Sequence, residues 1–129
     1  MYKQDTNFQS NRTRVNLNES LILDSGMEST EDFLNEARSF AFNSKISANQ
    51  LRDLYDLILE LRNPSEPKRK IAKILIKLEY AFRRKNVQEE FYYGIKPVLE
   101  TLLKNSNDLQ KIKNFIDFME AVVAYSKKS

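Results

Sequence analysis

The sequence predicts an all-α fold, a compact bundle of about five helices, and three observations support this class. The chain has 129 residues, of which 41% are hydrophobic and 30% charged, a balance that can bury the core of one domain. It contains only two glycines and three prolines, too few for the many tight turns of an all-β domain. Apolar residues recur at the spacing of a helix face from residue 30 onward. We expect helices at residues 30–43, 48–62, 67–85, 88–104 and 108–126.

The first 28 residues are expected to form an N-terminal extension that precedes the bundle. They are rich in Asn, Ser, Gln and Thr, and their apolar side chains are scattered apart from residues 21–23. A segment with so few apolar residues has little surface to bury, so we expect residues 1–28 to be partly disordered. Residues 29–129 then form the helical bundle domain.

Helix starts are indicated by pairs in which a Ser or Asn precedes an acidic or amide side chain by three residues. Such a pair satisfies free backbone N–H groups of the first helical turn. Pro64 and Pro67 suit the first turn of a helix, where the missing N–H of proline does no harm. Pro97 is expected to kink the fourth helix or to split it near Gly94. The capping pairs are Ser29 with Asp32, Ser47 with Gln50 and Asn86 with Glu89, and Ser106 or Asn107 can cap the last helix.

The third predicted helix has two contrasting faces. Its apolar residues fall in a narrow sector at 100° per residue, which we expect to face the core. A basic stripe occupies the outward sector along about 20 Å of helix axis, a length that matches a run of phosphates better than one phosphate. The apolar set is Ile71, Ile74, Leu75, Leu78 and Phe82, and the stripe is Lys70, Lys73, Lys77 and Arg84 with Tyr80 among them, widened by Lys68, Arg69, Arg83 and Lys85.

The positive charge of the chain is concentrated in one segment. Residues 63–86 carry eight basic and two acidic groups, whereas residues 1–62 carry seven basic and ten acidic groups and residues 87–129 carry six of each. A charged helix face is usually only solvated, but such faces normally mix signs, so the excess favours binding of phosphate or nucleic acid. Lysine and arginine would contact phosphates, and Tyr80 could stack on a base or a sugar.

Missing residue types exclude several classes of function. The chain has no histidine and no cysteine, which excludes thiol nucleophiles, Ser-His triads, imidazole acid–base catalysis and structural zinc sites. We expect neither a cofactor nor a metal. The longest apolar runs are far below the roughly 20 residues that cross a bilayer, and the first 17 residues lack the apolar stretch of a signal peptide. We therefore expect a soluble, cytoplasmic protein with no membrane partner, and the lack of cysteine fits a reducing interior.

Three other functions remain open on the residues alone. A protein-interaction scaffold would dock its basic helix on an acidic partner. A small helical DNA-binding protein fits the size and charge, but a proline-containing connection precedes the basic helix in place of the glycine-bearing turn of a helix-turn-helix. A nuclease or transferase that uses carboxylates and a metal would need two or three acids converging in a cleft.

Three strings, in order along the chain, resemble the helical small subunit of type III-A CRISPR effector ribonucleoprotein complexes, the Csm family. They are ISANQLRDLY at residues 46–55, KLEYAFRR at 77–84 and NFIDFMEAVVAY at 114–125. The resemblance implies a non-catalytic subunit in antiviral defence, present in more than one copy and stacked as a filament. Its implied partners are the guide RNA, the target RNA, other subunits of the complex and further copies of itself.

The resemblance also implies which side chains contact RNA. The target is read by pairing to the guide, so this subunit would contact the sugar–phosphate backbone without base specificity. Both arginines that close the second string are carried over as candidates. The candidate RNA-binding residues are Lys45, Arg52, Arg69, Lys70, Lys73, Lys77, Tyr80, Arg83 and Arg84, of which Arg52, Lys77, Tyr80 and Arg84 match the family pattern by position.

Overall fold

The computed structural model describes residues 16–127, which form five α-helices and no β-strand, so the predicted all-α class is confirmed. A short 3₁₀ turn, Glu60–Arg62, continues the second helix to the end that its apolar spacing predicts. None of the described helices is long and apolar enough to span a membrane. The helices are α1, Thr30–Ser44; α2, Ala48–Leu59; α3, Pro67–Arg83; α4, Glu89–Lys104; and α5, Leu109–Tyr125.

The core is centred on α5, which packs against α1, α2 and the turns that precede α1. The outer helix α3 packs against α2 on one side and α4 on the other. Phenylalanine rings fill the space between α1, α4 and α5: Phe118 meets Phe33 edge-on at 5.7 Å between ring centroids, and Phe40 stacks on Phe91 at 5.4 Å. Each fully buried ring of this kind contributes a few kcal/mol, on the order of 2–3, by removing apolar surface from water.

The helix starts agree with the predicted caps at one of four positions. Ser47 caps α2: its hydroxyl accepts from the N–H of Gln50 at 3.2 Å, and Gln50 Oε1 accepts from the N–H of Ser47 at 3.0 Å. Ser29 makes no side-chain cap hydrogen bond, so that prediction is wrong. The residues before it already form a helical turn, Gly26–Ser29, and the chain enters α1 without the extended residue that a cap requires.

The other two predicted caps are not formed, because a different residue precedes the helix in each case. Asn86 does not cap α4, because its N–H donates to the carbonyl of Ala81 at 2.8 Å and so belongs to the end of α3. The residue before α4 is Gln88, which makes no side-chain cap. The last helix is capped by Asp108, whose Oδ1 accepts from the N–H of Lys111 at 3.1 Å, and not by the preceding Ser or Asn.

Helix α4 is continuous from Glu89 to Lys104, so the predicted split near Gly94 is wrong. Pro97 lies inside the helix and is exposed, whereas its neighbours Ile95 and Val98 are fully buried. Burial of the residues on both sides of the proline holds the two halves on the same core, which offsets the hydrogen bond that the proline cannot make.

The predicted N-terminal extension lies partly within the described structure. Residues 1–15 are outside the described residues, while Ser20–Ser25 forms a short π-helix that contacts α5. Ile22 and Leu23 are buried. Burial of these two apolar side chains helps to join residues 20–29 to the bundle.

A close contact fixes this segment to α5. The side-chain amide of Asn114 donates to the carbonyl of Leu23 at 2.7 Å. Gly26 has a φ of +54°, and a Cβ at that position would lie 2.5 Å from atoms of the Asn114 side chain. Only glycine meets both requirements, the left-handed backbone and the missing Cβ.

Candidate nucleic-acid interface

The position of the basic stripe follows from the way α3 is buried. Ile71, Ile74 and Leu78 are buried between α2 and α4, and Pro67 begins the helix in its first turn. Side chains on the opposite side of a 17-residue helix must then face solvent along about 25 Å. The structure thus exposes one long face of α3.

Four candidate residues come together on this exposed side. The Nζ atom of Lys77 lies 5.7 Å from the ring centroid of Tyr80, and the guanidinium carbon of Arg84 lies 4.7 Å from it. Tyr80 is 50% exposed although both cations lie over it. Lys73 lines a shallow groove with Lys77 and Tyr80. We call Lys73, Lys77, Tyr80 and Arg84 the α3 basic face.

A second groove, of about 420 Å³, runs between α2 and α3. Lys77 and Tyr80 line this groove as well, so they stand on a ridge with an opening on either side. Its polar lining offers both hydrogen-bond donors and acceptors. We call it the α2–α3 groove; its main lining residues are Asn49, Gln50 and Asp53 from α2, Lys77, Tyr80 and Ala81 from α3, and Lys85 and Asn86 from the following turn.

Lysines at the edge of the stripe are less free than the predicted outward face suggests. Lys77 is half-buried and its Nζ lies 3.9 Å from a carboxylate oxygen of Asp53. Lys70 is half-buried too, and it donates to the carbonyl of Asn63 at 2.8 Å. At 100° per residue both lie where the outer face turns towards α2, which explains why the two lysines are half-buried. Asp53 is exposed and the pair is long, and ion pairs open to solvent in this way are worth about 0–1 kcal/mol, so a phosphate can replace it.

The two arginines that close the second string lie on different sides of α3. Arg83 lies on the same side of α3 as Glu79, which is one turn earlier in that helix, and its Nε donates to the Glu79 carboxylate at 2.8 Å. Glu79 also accepts a hydrogen bond from the hydroxyl of Tyr92 on α4, and Lys96 donates to that hydroxyl at 2.9 Å. The hydrogen bonds from Tyr92 and then Arg83 hold the pKa of Glu79 below its usual value. Only Arg84 contributes to the α3 basic face.

The remaining candidates are distributed around this face. Arg69 lies in the first turn of α3 and is exposed. Arg52 is exposed on α2 and donates to Asn49 at 3.2 Å, a residue of the α2–α3 groove. Lys45 lies elsewhere: it follows α1 with a φ of 55° and lines a separate groove near the end of α5.

Sequence reasoning missed the residues that complete the α2–α3 groove. Asn49 and Asn86 come from elements on either side of α3, so periodicity within that helix carries no signal for them. Within residues 16–127, no group of three or more acidic side chains is arranged to hold a metal ion.

Comparison with known families identifies the class of protein first. A family model that covers residues 27–129, all five helices, assigns the chain to the small subunits of type III-A CRISPR Csm complexes. The resemblance of the three strings is thereby confirmed.

The family is described as Csm2 Type III-A, and the chain belongs to it. No curated protein and no solved structure matches the chain. Membership in the family implies that other subunits of the Csm complex are its partners.

Proposed function

We propose that this chain is a non-catalytic subunit that contacts the sugar–phosphate backbone of guide or target RNA through the α3 basic face. It acts in the cytoplasm, in antiviral defence, within the type III-A effector complex. The observation that carries the proposal is the convergence of Lys73, Lys77, Tyr80 and Arg84 on one exposed side of α3. Family membership supports it, because the complex to which the family belongs is a ribonucleoprotein.

The spacing of the cations suits a nucleic-acid strand. Lys73 and Arg84 are separated by eleven residues, or about 16 Å of helix at 1.5 Å per residue. Such a distance spans several consecutive phosphates of one strand. Lys73 has no ion pair within the described part of the chain, so its charge is available to a ligand.

The chemistry of the face suits recognition that ignores sequence. Phosphates and sugars are the same at every nucleotide, and contacts to them position a protein without reading bases. Arg84 can bind one phosphate through two N–H groups, and the ring of Tyr80 offers an apolar surface to a sugar. In guided effectors the sequence is read by base pairing, so a subunit of this kind needs no base contacts.

Repetition of the subunit would supply the affinity that one copy lacks. Three cations on one chain neutralise about three phosphates, which gives weak binding at physiological salt. Copies stacked as a filament place the same face along one RNA and convert later contacts into intramolecular ones. The proposed filament and the proposed backbone contact therefore support each other.

The test is RNA affinity of the assembled complex after Lys73→Glu and Arg84→Glu are combined. Lys77 is left unchanged because Glu at that position would face Asp53. We expect the affinity to fall at least tenfold and the salt dependence of binding to weaken. The matched control combines Lys104→Glu and Lys113→Glu, two exposed lysines on α4 and α5, and should bind as the wild type does. Unaltered affinity and salt dependence in the Lys73 and Arg84 variant would refute the proposal.

One observation favours a second candidate, a contact between α3 and another subunit. Ile76 is 67% exposed in the middle of the basic helix, and it lines the shallow groove together with Leu57 of α2. An apolar side chain at that place suits a protein neighbour better than a phosphate. Loss of assembly without loss of RNA affinity after Ile76→Ala would favour this candidate.

A further inference from the structure

A second exposed surface lies where α1 and α5 end, outside the α3 basic face. It surrounds an apolar groove of about 440 Å³. Phe42 on α1 is 80% exposed, and Tyr125 at the end of α5 is 37% exposed. Since the core phenylalanines are fully buried, Phe42 does not serve the packing of the bundle, and together with Tyr125 it leaves an apolar patch beside the groove open to a ligand. We call Arg38, Phe42, Lys45, Tyr125 and Lys127 the C-terminal patch.

The charges of this patch indicate the class of its ligand. Its three charged members, Arg38, Lys45 and Lys127, are all cations, and no acidic residue among residues 16–127 lines the groove. The guanidinium carbon of Arg38 lies 5.1 Å from the ring centroid of Tyr125. Exposed aromatic rings with cations beside them are the combination that holds unpaired nucleotides, with bases on the rings and phosphates on the cations.

Backbone pairing places the patch close to the α2–α3 groove. The N–H of Lys127 donates to the carbonyl of Ile46 at 3.2 Å, and the N–H of Ala48 donates to the carbonyl of Lys127 at 3.1 Å. The C-terminal end is thus joined to the loop that leads into α2. Lys45 is four residues before Asn49 of the α2–α3 groove, so their Cα atoms are at most about 14 Å apart.

We infer that the C-terminal patch binds unpaired RNA nucleotides by stacking, as a second contact for the strand that the α3 basic face holds. A base stacks on Phe42, and Lys45 and Lys127 contact the adjoining phosphates. This inference rests on the proposed function, because it requires that the chain binds RNA. It goes further in assigning a preference for unpaired bases, which a face that contacts only the backbone does not have.

The experiment compares two single-stranded RNA oligomers that carry the same charge. One is a fluorescein-labelled oligouridylate, and the other is a base-free ribose-phosphate oligomer of the same length. Binding to the full chain is followed by fluorescence anisotropy at about 20 mM salt, where weak phosphate contacts are strengthened. We expect Phe42→Ala to lower the affinity for oligouridylate about tenfold and to leave the base-free oligomer unaffected. Phe42→Tyr should retain the wild-type affinity.

A matched control is Leu109→Ala, which removes a 60% exposed apolar side chain at the other end of α5 and should change neither affinity. If wild type and Phe42→Ala bind oligouridylate with equal affinity, the inference is overturned. If the variant with unchanged affinity also fails to enter the effector complex, the patch is a contact with another protein and not with RNA. If Lys73→Glu with Arg84→Glu loses binding while Phe42→Ala does not, only this inference fails. No binding by the wild type to either oligomer contradicts the proposed function as well.

Discussion

Arg83 and Arg84 are adjacent in the chain, yet they serve different surfaces of α3. A step of about 100° per residue is enough to turn one side chain towards Glu79 and the next towards the open side. Arg83 is paired with Glu79, whereas Arg84 lies over Tyr80. A substitution at Arg84 should therefore affect a ligand of the α3 basic face, and one at Arg83 should affect the contact between α3 and α4.

The Tyr92 hydroxyl makes the stability of the chain depend on pH through Glu79. The hydrogen bond from Tyr92 is the largest cause that lowers the pKa of Glu79 from its ordinary value of 4.5, followed by that from Arg83. Because the pKa is lower in the folded state, the stabilisation is present above pH 4.5 and is lost as the pH falls through the folded value. We expect Tyr92→Phe to be less stable than the wild type at pH 7 and to lose less further stability between pH 5 and about pH 3.

Urea unfolding at a series of pH values measures this difference. Tyr93→Phe is the control, since Tyr93 is exposed and makes no hydrogen bond to Glu79; its stability curve should follow that of the wild type. If Tyr92→Phe and the wild type lose the same stability as the pH falls, the hydrogen bond from the Tyr92 hydroxyl does not lower the pKa of Glu79.

Among the helices of residues 16–127, α2 is the one whose start is fixed by a complete capping box. Ser47→Ala removes the hydroxyl that accepts from Gln50, so we expect the free energy of unfolding to fall by about 1 kcal/mol. Ser29→Ala is the matched comparison, because Ser29 also precedes a helix but makes no cap hydrogen bond; its effect should stay within about 0.5 kcal/mol. Chemical denaturation of both variants gives the two values, and equal losses would contradict the role assigned to the box.

The extent of each helix could be predicted from the sequence, but several of the contacts at helix ends could not. Apolar spacing is a property of one segment, so it predicts α3 at residues 67–85, where the structure has Pro67–Arg83. A cap depends on the backbone of the preceding residues as well. Asn86 is at a suitable distance from Glu89, yet its N–H is already bonded to the end of α3. The same limit applies to Ile22 and Leu23, whose partners on α5 lie about 90 residues away.

The candidate site was predictable to the degree that it belongs to one helix. Lys73, Tyr80 and Arg84 lie together because their spacing puts them on one face of α3. Lys45 is on a different surface, and Asn49 enters the α2–α3 groove only because α2 packs on α3. Packing between helices determines both positions, and the pattern of residues along the sequence does not show how the helices pack.

At the scale of the whole molecule, the charge of the chain is arranged so that one side can approach a polyanion. Residues 63–86 carry eight basic and two acidic groups, and the acidic excess lies in residues 1–62. One of those two acids, Glu79, is held on the α4 side of α3 by Tyr92 and Arg83. Among residues 16–127, the carboxylate of Asp53 is the one that forms an ion pair with this face, through Lys77.

If several copies hold one RNA, the salt dependence of binding should grow with the number of copies. For single strands, each phosphate contact contributes about 0.7 to the slope of log affinity against log salt. Lys73→Gln combined with Arg84→Gln removes two contacts from each chain, so the slope of the isolated chain should fall by about 1.4. In the assembled complex the fall should be this value multiplied by the number of copies on the RNA, because the contacts of all copies are lost together.

Titrations of wild type and variant at several salt concentrations give both differences, with Lys104→Gln and Lys113→Gln as the control pair. A fall in the complex no larger than in the isolated chain would mean that only one copy touches the RNA, contrary to the proposal that stacked copies share one RNA.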